Sequence, residues 1–313
     1  MTGLPVITID EIRAVAGKTL VLDTVRAALI AHAESRTQVP PPTHLAFEKA
    51  NGECHVKTGY VDGSPYYVIK VASTFYDNHR LGLPSNSGSM LASSASTGRP
   101  AALLAEDGWL TAWRTAATGA LITHALTADN AWVGVLGTGL QARLQIEWLS
   151  TLRPIPSVAV WGRRSEAASQ LAHQLRELGL DAHPARRREA AARDCVITAT
   201  ASGSPLGSAH DFAAANHITA VGADMPGKHE VPAGLFAAAN VIATDDHVQA
   251  LSHGDFGHAV RAGAVAHDAD IPVGAILRDE PYDRSSLSIA DLTGVGAVDA
   301  AVASAVLGQL LGS

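Results

Sequence analysis

"VGVLGTGLQARLQIEWL", residues 133–149, is the stretch on which the reading of this chain turns. An apolar run ends at Gly137-Thr138-Gly139, and a helical pattern starts at once. Ala131 to Leu136 is short and apolar, with Val133 and Val135, as a buried parallel strand would be. Leu140, Leu144, Ile146 and Leu149 recur at roughly helical spacing. The expectation is strand, tight turn, helix. Gly137 permits the turn, Gly139 lets the backbone approach a pyrophosphate, and Ala142 fills the small position where helix packs on strand. The helix start adds unpaired N–H groups and the positive end of a dipole. A GxGxxA pattern alone is weak in a chain rich in Gly and Ala. A second apolar run, Ser157 to Trp161, supplies the βαβ context. The reading is therefore a dinucleotide site on Gly137, Thr138, Gly139, Leu140, Gln141 and Ala142.

The end of the second strand bears on the choice of nucleotide. A carboxylate there binds the ribose hydroxyls of NAD, whereas arginine accepts the extra phosphate of NADP. The text is "VWGRRSEAA", with Gly162, Arg163 and Arg164 and no carboxylate before Glu166. Guanidinium groups suit a phosphate, so NADP(H) is favoured over NAD(H). The plainer alternative is that both arginines are solvated charges at a helix start.

Downstream the alternation continues. Asp194–Thr200, His217–Gly222 and Asn240–Thr244 read as strands, with helical stretches at Ser165–Leu178 and Pro232–Ala239. The fold class expected is α/β: a Rossmann-type doubly wound parallel sheet over residues 126–302. Ligands in such sheets bind past the strand ends, which draws attention to Thr200-Ala201, Asp224 and Asp245-Asp246. The first 125 residues read differently. Thr19–Ser35 is a helix candidate. "HLAFE", "CHVKTGYV" and "PYYVIKVAS" are strand-like pieces with Asn51-Gly52 and Asp62-Gly63 as turns. "RPAALLAEDGWLTAWR" suggests a further hairpin through Asp107-Gly108, and Thr115–Leu126 a helix. This is a mixed α+β domain, to which a last helix, expected over Ala300–Leu311 and assigned with residues 303–313, returns.

Composition excludes several classes. The 313 residues carry a net charge of -7, with 47% hydrophobic and 17% charged residues. Such a chain has no broad attraction for phosphate backbones or anionic lipids, so neither nucleic acid nor a membrane is an expected partner. No apolar run reaches the roughly 18 to 20 residues that span a bilayer. Met1–Gly17 does not read as a signal peptide. Two distant cysteines, Cys54 and Cys195, fit a reduced, cytoplasmic setting. His253, Asp255 and His258, and His210 with Asp211, have a metal-like look. They lack HExxH spacing and no cysteine pair supports them, so no metal is expected.

Four segments together resemble the ornithine cyclodeaminase/mu-crystallin family: "RTAATGA" (114–120), "GTGLQARLQ" (137–145), "VGADMPGKHEV" (221–231) and "DLTGVG" (291–296). The resemblance covers nearly the whole chain. It implies an NAD(P)-binding Rossmann domain and a substrate domain that pairs two subunits through its sheet into a homodimer. It implies that Lys70, in "YYVIKVAS", and Asp224 are catalytic, Asp224 as acid/base. Arg114 binds the substrate carboxylate, and Ser85, in "GLPSNSG", touches substrate. Apart from the resemblance, position past the strand ends makes Thr200-Ala201 a candidate cofactor contact, and the Thr293 turn either borders the nicotinamide or caps a helix. One departure stands out. Cyclodeaminases carry an arginine soon after an early proline, where this chain has Thr43 or His44, with His55 and Lys57 nearby as replacement contacts. That weakens the case for ornithine. The function expected is NAD(P)H-dependent reduction of an α-imino or keto acid. The alternatives are ornithine cyclodeaminase, converting L-ornithine to L-proline and ammonia with bound NAD+, and a non-catalytic NADP-dependent binding protein. The chemistry is consistent: such a reaction needs a held carboxylate, a nearby nicotinamide and a proton relay at nitrogen.

Overall fold

A computed structural model describes residues 3–279, 282 and 284–312. It separates into two units, residues 1–114 with 295–313, and residues 115–294. The expected boundaries at 125/126 and 302/303 thus differ from the observed ones by about a helix length at the first and two turns at the second. One long helix runs through the first division, and the last helix starts earlier than its apolar pattern suggested. Residue 313, at the end of the expected last helix, lies outside the described residues.

The first unit contains β1 (Val6–Ile7), α1 (Ile9–Val15), α2 (Lys18–Ala33), β2 (Thr37–Gln38), β3 (Thr43–Phe47), β4 (Gly52–Val61), β5 (Tyr66–Phe75), β6 (Asn86–Ser94) and β7 (Pro100–Leu104). A C-terminal helix, Gly296–Leu311, completes it. The strands form a mixed sheet in the order β1-β7-β6-β5-β4-β2, with β3 also on β4. Among the described residues of this sheet only the β1–β7 pair is parallel. The turn signals act as read: Asn51 adopts a left-handed φ of 46° before β4, and Gly63 one of 82° before β5. The C-terminal helix crosses β4 closely enough that a Cβ on Gly59 would land on the Gly296 carbonyl.

Strand alternation sorts the sheet into two faces. Ile7, Leu104, Met90 and Lys70 are successive cross-strand partners on the buried face, followed by Lys57. The opposite face leaves Val6 55%, Leu45 51% and Val71 39% exposed.

The hairpin expected through Asp107-Gly108 does not form. Both residues take left-handed φ, 50° and 76°. The buried Glu106 carboxylate then accepts the Thr111 N–H at 3.1 Å and its hydroxyl at 2.9 Å. This caps a helix, α3 (Trp109–Leu126), which starts directly after Gly108. Leu110, Ala116, Ala117 and Ala120 are buried at helical spacing, so period 3.6 outweighs the Asp-Gly turn signal.

The second unit holds β8 (Val133–Leu136), α4 (Leu140–Leu152), β9 (Val158–Trp161), α5 (Ser165–Glu177), β10 (Ala182–Pro184), α6 (Arg187–Ala191), β11 (Cys195–Thr198), β12 (His217–Ala220), α7 (Ala233–Ala238), β13 (Val241–Thr244), α8 (His247–His253), α9 (Asp255–Arg261), β14 (Ile271–Pro272), α10 (Val273–Arg278) and β15 (Ser288–Asp291). Its sheet runs β10-β9-β8-β11-β12-β15-β13-β14. Every pairing in it is parallel. Strand order reverses between β8 and β11, the switch point at which doubly wound sheets take ligands. The core strands are continuous apolar runs because both faces are covered. No helix among the described residues is long and apolar enough to cross a membrane.

Backbone proximity gives a test of this packing. Gly134 in β8 faces the Ala190 carbonyl so closely that a Cβ would overlap it. Gly134→Ala is expected to cost about 2–3 kcal/mol in urea unfolding. A loss within about 0.5 kcal/mol would contradict the contact between β8 and α6.

Candidate functional site

In the first unit the chemistry begins with a lysine in an apolar row. Lys70 pairs with Met90 on one side and Lys57 on the other, and is only 2% exposed. A buried ammonium needs a counter-charge. It has one in Asp299, on the C-terminal helix, with Nζ 2.7 Å from Oδ2. The other oxygen, Oδ1, accepts the Nε–H of Arg114 at 2.8 Å. Arg114 is 5% exposed and Asp299 1%. One carboxylate therefore braces both cations, on α3 and on β5.

The electrostatics are uneven. Burial, then the charge of Arg114, push Lys70 down to about 7, against the upward pull of Asp299. For Asp299 burial acts to raise the carboxyl, but Arg114 and Lys70 outweigh it and hold it below its ordinary range. Lys70 is thus poised to gain or lose a proton near neutrality. Lys57 adds to the positive field on both groups. His55 lies two residues along β4 on the same face as Lys57. Ser85 is half-buried in the loop before β6, where its carbonyl accepts the Phe75 N–H at 2.8 Å.

Asp299 was not singled out by sequence reasoning. A signal existed: it is the single charged residue in "GAVDAAVASAVLGQLL". A lone acid in an apolar helix calls for a buried partner.

In the second unit the turn after β8 has the expected build. Gly137 has φ of 140°, and a Cβ there would strike the Ala199 carbonyl. Gly139 is the N-cap of α4 and no side chain caps that helix. A Cβ on Gly139 would meet nothing within 4 Å, so the backbone there borders open space. Ala142 is fully buried behind the turn. Thr138 packs over Gly162, where any Cβ would collide with its methyl group. Leu140 is 47% exposed, and Gln141 accepts the Gln145 amide at 3.2 Å. Arg163 and Arg164 are exposed, Arg164 as the N-cap of α5. An open cradle, a left-handed glycine and an uncapped 13-residue helix fit the diphosphate of a dinucleotide.

The neighbouring strand ends are tied by buried acids. Glu230 accepts the Thr200 N–H and hydroxyl, both at 2.6 Å. It also accepts the Thr198 hydroxyl and the Gly222 N–H, each at 2.8 Å. Thr200 is thereby engaged by Glu230, while Ala201 is exposed. Asp245 accepts the Thr293 N–H at 2.9 Å and hydroxyl at 3.0 Å, and the Gly294 N–H at 2.6 Å. Thr293 is 2% exposed. Asp255 accepts the Glu230 N–H and Asp291 the Phe256 N–H, each at 2.8 Å. Burial pushes Asp291 up to about 7. These acids order the loops past the strand ends. Asp224 follows β12 with its side chain 49% exposed, and the Lys228 ammonium lies 2.7 Å from its Oδ1.

The geometry thus groups Lys70, Arg114 and Lys57 around Asp299 in one unit. In the other it groups Gly137 to Ala142 with Gly162, and pairs Asp224 with Lys228.

Comparison with known proteins gives a consistent result. The ornithine cyclodeaminase/mu-crystallin family pattern matches residues 6–312. A cyclodeaminase of Sinorhizobium fredii, uncharacterized, is 35% identical over 90% of this chain and 86% of its own. Among solved structures, an archaeal alanine dehydrogenase dimer with bound NAD has a TM-score of 0.89 at 28% identity, covering 99% of this chain and 96% of its own. The iminosuccinate reductase of Paracoccus denitrificans in complex with NAD+ has a TM-score of 0.86 at 28% identity, covering 99% and 97%. With a family match over nearly all of its length, this chain belongs to the ornithine cyclodeaminase/mu-crystallin family.

Proposed function

We propose that the protein is an NADP(H)-dependent oxidoreductase that reduces a small α-imino or α-keto acid, or oxidises the corresponding amino acid. The observation that carries this reading is the buried Lys70–Asp299–Arg114 cluster. Two buried cations held rigid by one acid form a receptor for a carboxylate. Arg114 and Lys70 take the substrate carboxylate in this reading, with Asp299 fixing their positions. Lys57, His55 and Ser85 contribute to the recognition of the rest of the substrate. Asp224, 2.7 Å from the Lys228 ammonium, accepts the proton from the substrate nitrogen in the oxidative direction.

The turn Gly137 to Ala142, with Gly162, Thr200, Ala201 and Thr293, binds the cofactor in this proposal. Once bound, the nicotinamide supplies or accepts the hydride. Arg163 and Arg164 favour NADP(H) over NAD(H), because exposed guanidiniums past β9 suit a 2′-phosphate. The proposed domain roles follow the expected ranges, residues 1–125 with 303–313 for substrate and 126–302 for cofactor. The exposed apolar face carrying Val6, Leu45 and Val71 supports a homodimer formed through this sheet. Buried, unbridged Cys54 and Cys195 support a cytoplasmic setting. The likeness to a cyclodeaminase supports a second reading, in which L-ornithine loses ammonia with no net change in cofactor.

A panel of keto acids with amines, and of ornithine, assayed with both cofactors tests this directly. Oxidation of NADPH faster than of NADH is expected. Ammonia from ornithine without net cofactor change would select the second reading. Tight cofactor binding with no turnover would instead mark a binding protein. Asp224→Asn is expected to keep cofactor affinity and lose about 10²- to 10⁴-fold in turnover. Unchanged turnover would remove Asp224 from the mechanism.

Lys70 gives a pH test. Its ammonium form dominates below about 7 and the neutral amine above. Attraction for a carboxylate therefore weakens as pH rises through that value. For the reductive reaction, kcat/KM is expected to fall across about pH 7 to a plateau held by Arg114, and Lys70→Met to remove that step. A step of the same size in the variant would assign it elsewhere.

A further inference from the structure

The β3–β4 hairpin brings together three metal-binding side chains that are scattered in the sequence. His44 and His55 are direct cross-strand partners, with ring centroids 4.9 Å apart. Glu53 precedes His55 by two residues and so shares its face of β4. One potential ligand atom from each lies within 4.8 Å of the other two, and this is the one such trio among the described residues. We propose that His44, Glu53 and His55 bind a divalent transition-metal ion of the zinc class, clipping β3 to β4 with a further position left to solvent.

The donor set argues for the ion class. Two imidazoles and one carboxylate suit zinc, cobalt, nickel or copper, whereas magnesium and calcium prefer all-oxygen sites. The carboxylate is oriented in advance. Glu53 is only 13% exposed, and its Oε1 accepts the Tyr76 hydroxyl at 2.8 Å. Its Oε2 lies 4.0 Å from His44 Nε2. Such an outer partner fixes a ligand and raises its affinity for metal. Tetrahedral zinc places its ligand atoms roughly 3.3 Å apart, so side-chain rotations of about 1 to 1.5 Å at the tips close the set. The hairpin that carries the ligands is stiffened at its turn, where the Phe75 ring covers the bare Gly52 and stacks on Phe47 at 5.6 Å. Lys57, the next residue on this face of β4, lies about 7 Å along the strand from His55 and opposes a dication. Solvent screens that repulsion and the Glu53 charge offsets it.

Cobalt titration of the untagged, full-length protein, followed by visible absorption, tests the site. One equivalent of Co2+ is expected to bind with the bands of a low-coordinate site. Zn2+ should displace it, Mg2+ should not, and Zn2+ should raise the melting temperature. His44→Asn or His55→Asn should weaken binding at least about tenfold, and Tyr76→Phe about tenfold through release of Glu53. His44 is exposed and His55 half-buried, and circular dichroism checks that the variants remain folded. Unchanged cobalt affinity and stoichiometry in His44→Asn and His55→Asn would overturn the proposal. So would an absence of cobalt binding up to millimolar concentration.

Discussion

Asp299 is the residue on which the first unit depends. Its two oxygens lie 2.7 Å from the Lys70 ammonium and 2.8 Å from the Arg114 Nε. Without it two buried cations would face each other in an apolar row. That arrangement costs several kcal/mol per unpaired charge. The acid does not settle the field completely, since burial and Arg114 still bring Lys70 down to about 7. A carboxylate arriving beside the pair would therefore meet a group that gains a proton in response. In the proposed function the cluster serves as a receptor held ready, and its contribution to stability is small because buried ion pairs are weak sources of stability.

The second unit depends on backbone proximity instead. Gly134 lets α6 approach β8, Gly137 lets the turn approach the strand end at Ala199, and Gly162 admits Thr138. Gly139 alone among these faces open space. The contrast separates glycines needed for packing from one that leaves room for a ligand. Around them, Glu230 and Asp245 tie loop N–H groups and hydroxyls at the strand ends, so that the surface at the switch point is ordered in advance.

Much of this was legible in the sequence. The parallel strands declared themselves as short apolar runs, and the glycine turn was read together with its βαβ context. Lys70 and Arg114 were reached through resemblance, not through spacing. The errors have physical causes. Asp107-Gly108 looks like a hairpin turn, yet the same left-handed pair can lead into a helix when Glu106 caps it. Short strands such as Ala182–Pro184 and Ser288–Asp291 give too little pattern to detect. The C-terminal helix begins at Gly296, earlier than expected, at a glycine of low helix propensity that its close approach to the Thr58 carbonyl requires. Asp299 is invisible until β5 and α3 are known to converge on it. The trio of His44, Glu53 and His55 likewise exists only once β3 and β4 are paired in register.

The measurement closest to the central claim is proton uptake on binding a carboxylate. Calorimetry of the best-bound keto or amino acid at pH 8, in buffers of different ionisation enthalpy, separates proton transfer from binding. A substantial fraction of one proton should be taken up by the native protein, because Lys70 is largely neutral there and is recharged by the anion. Lys70→Met should show none of that uptake. Binding without proton uptake, or equal uptake in the variant, would contradict a carboxylate seated on Lys70 and Arg114.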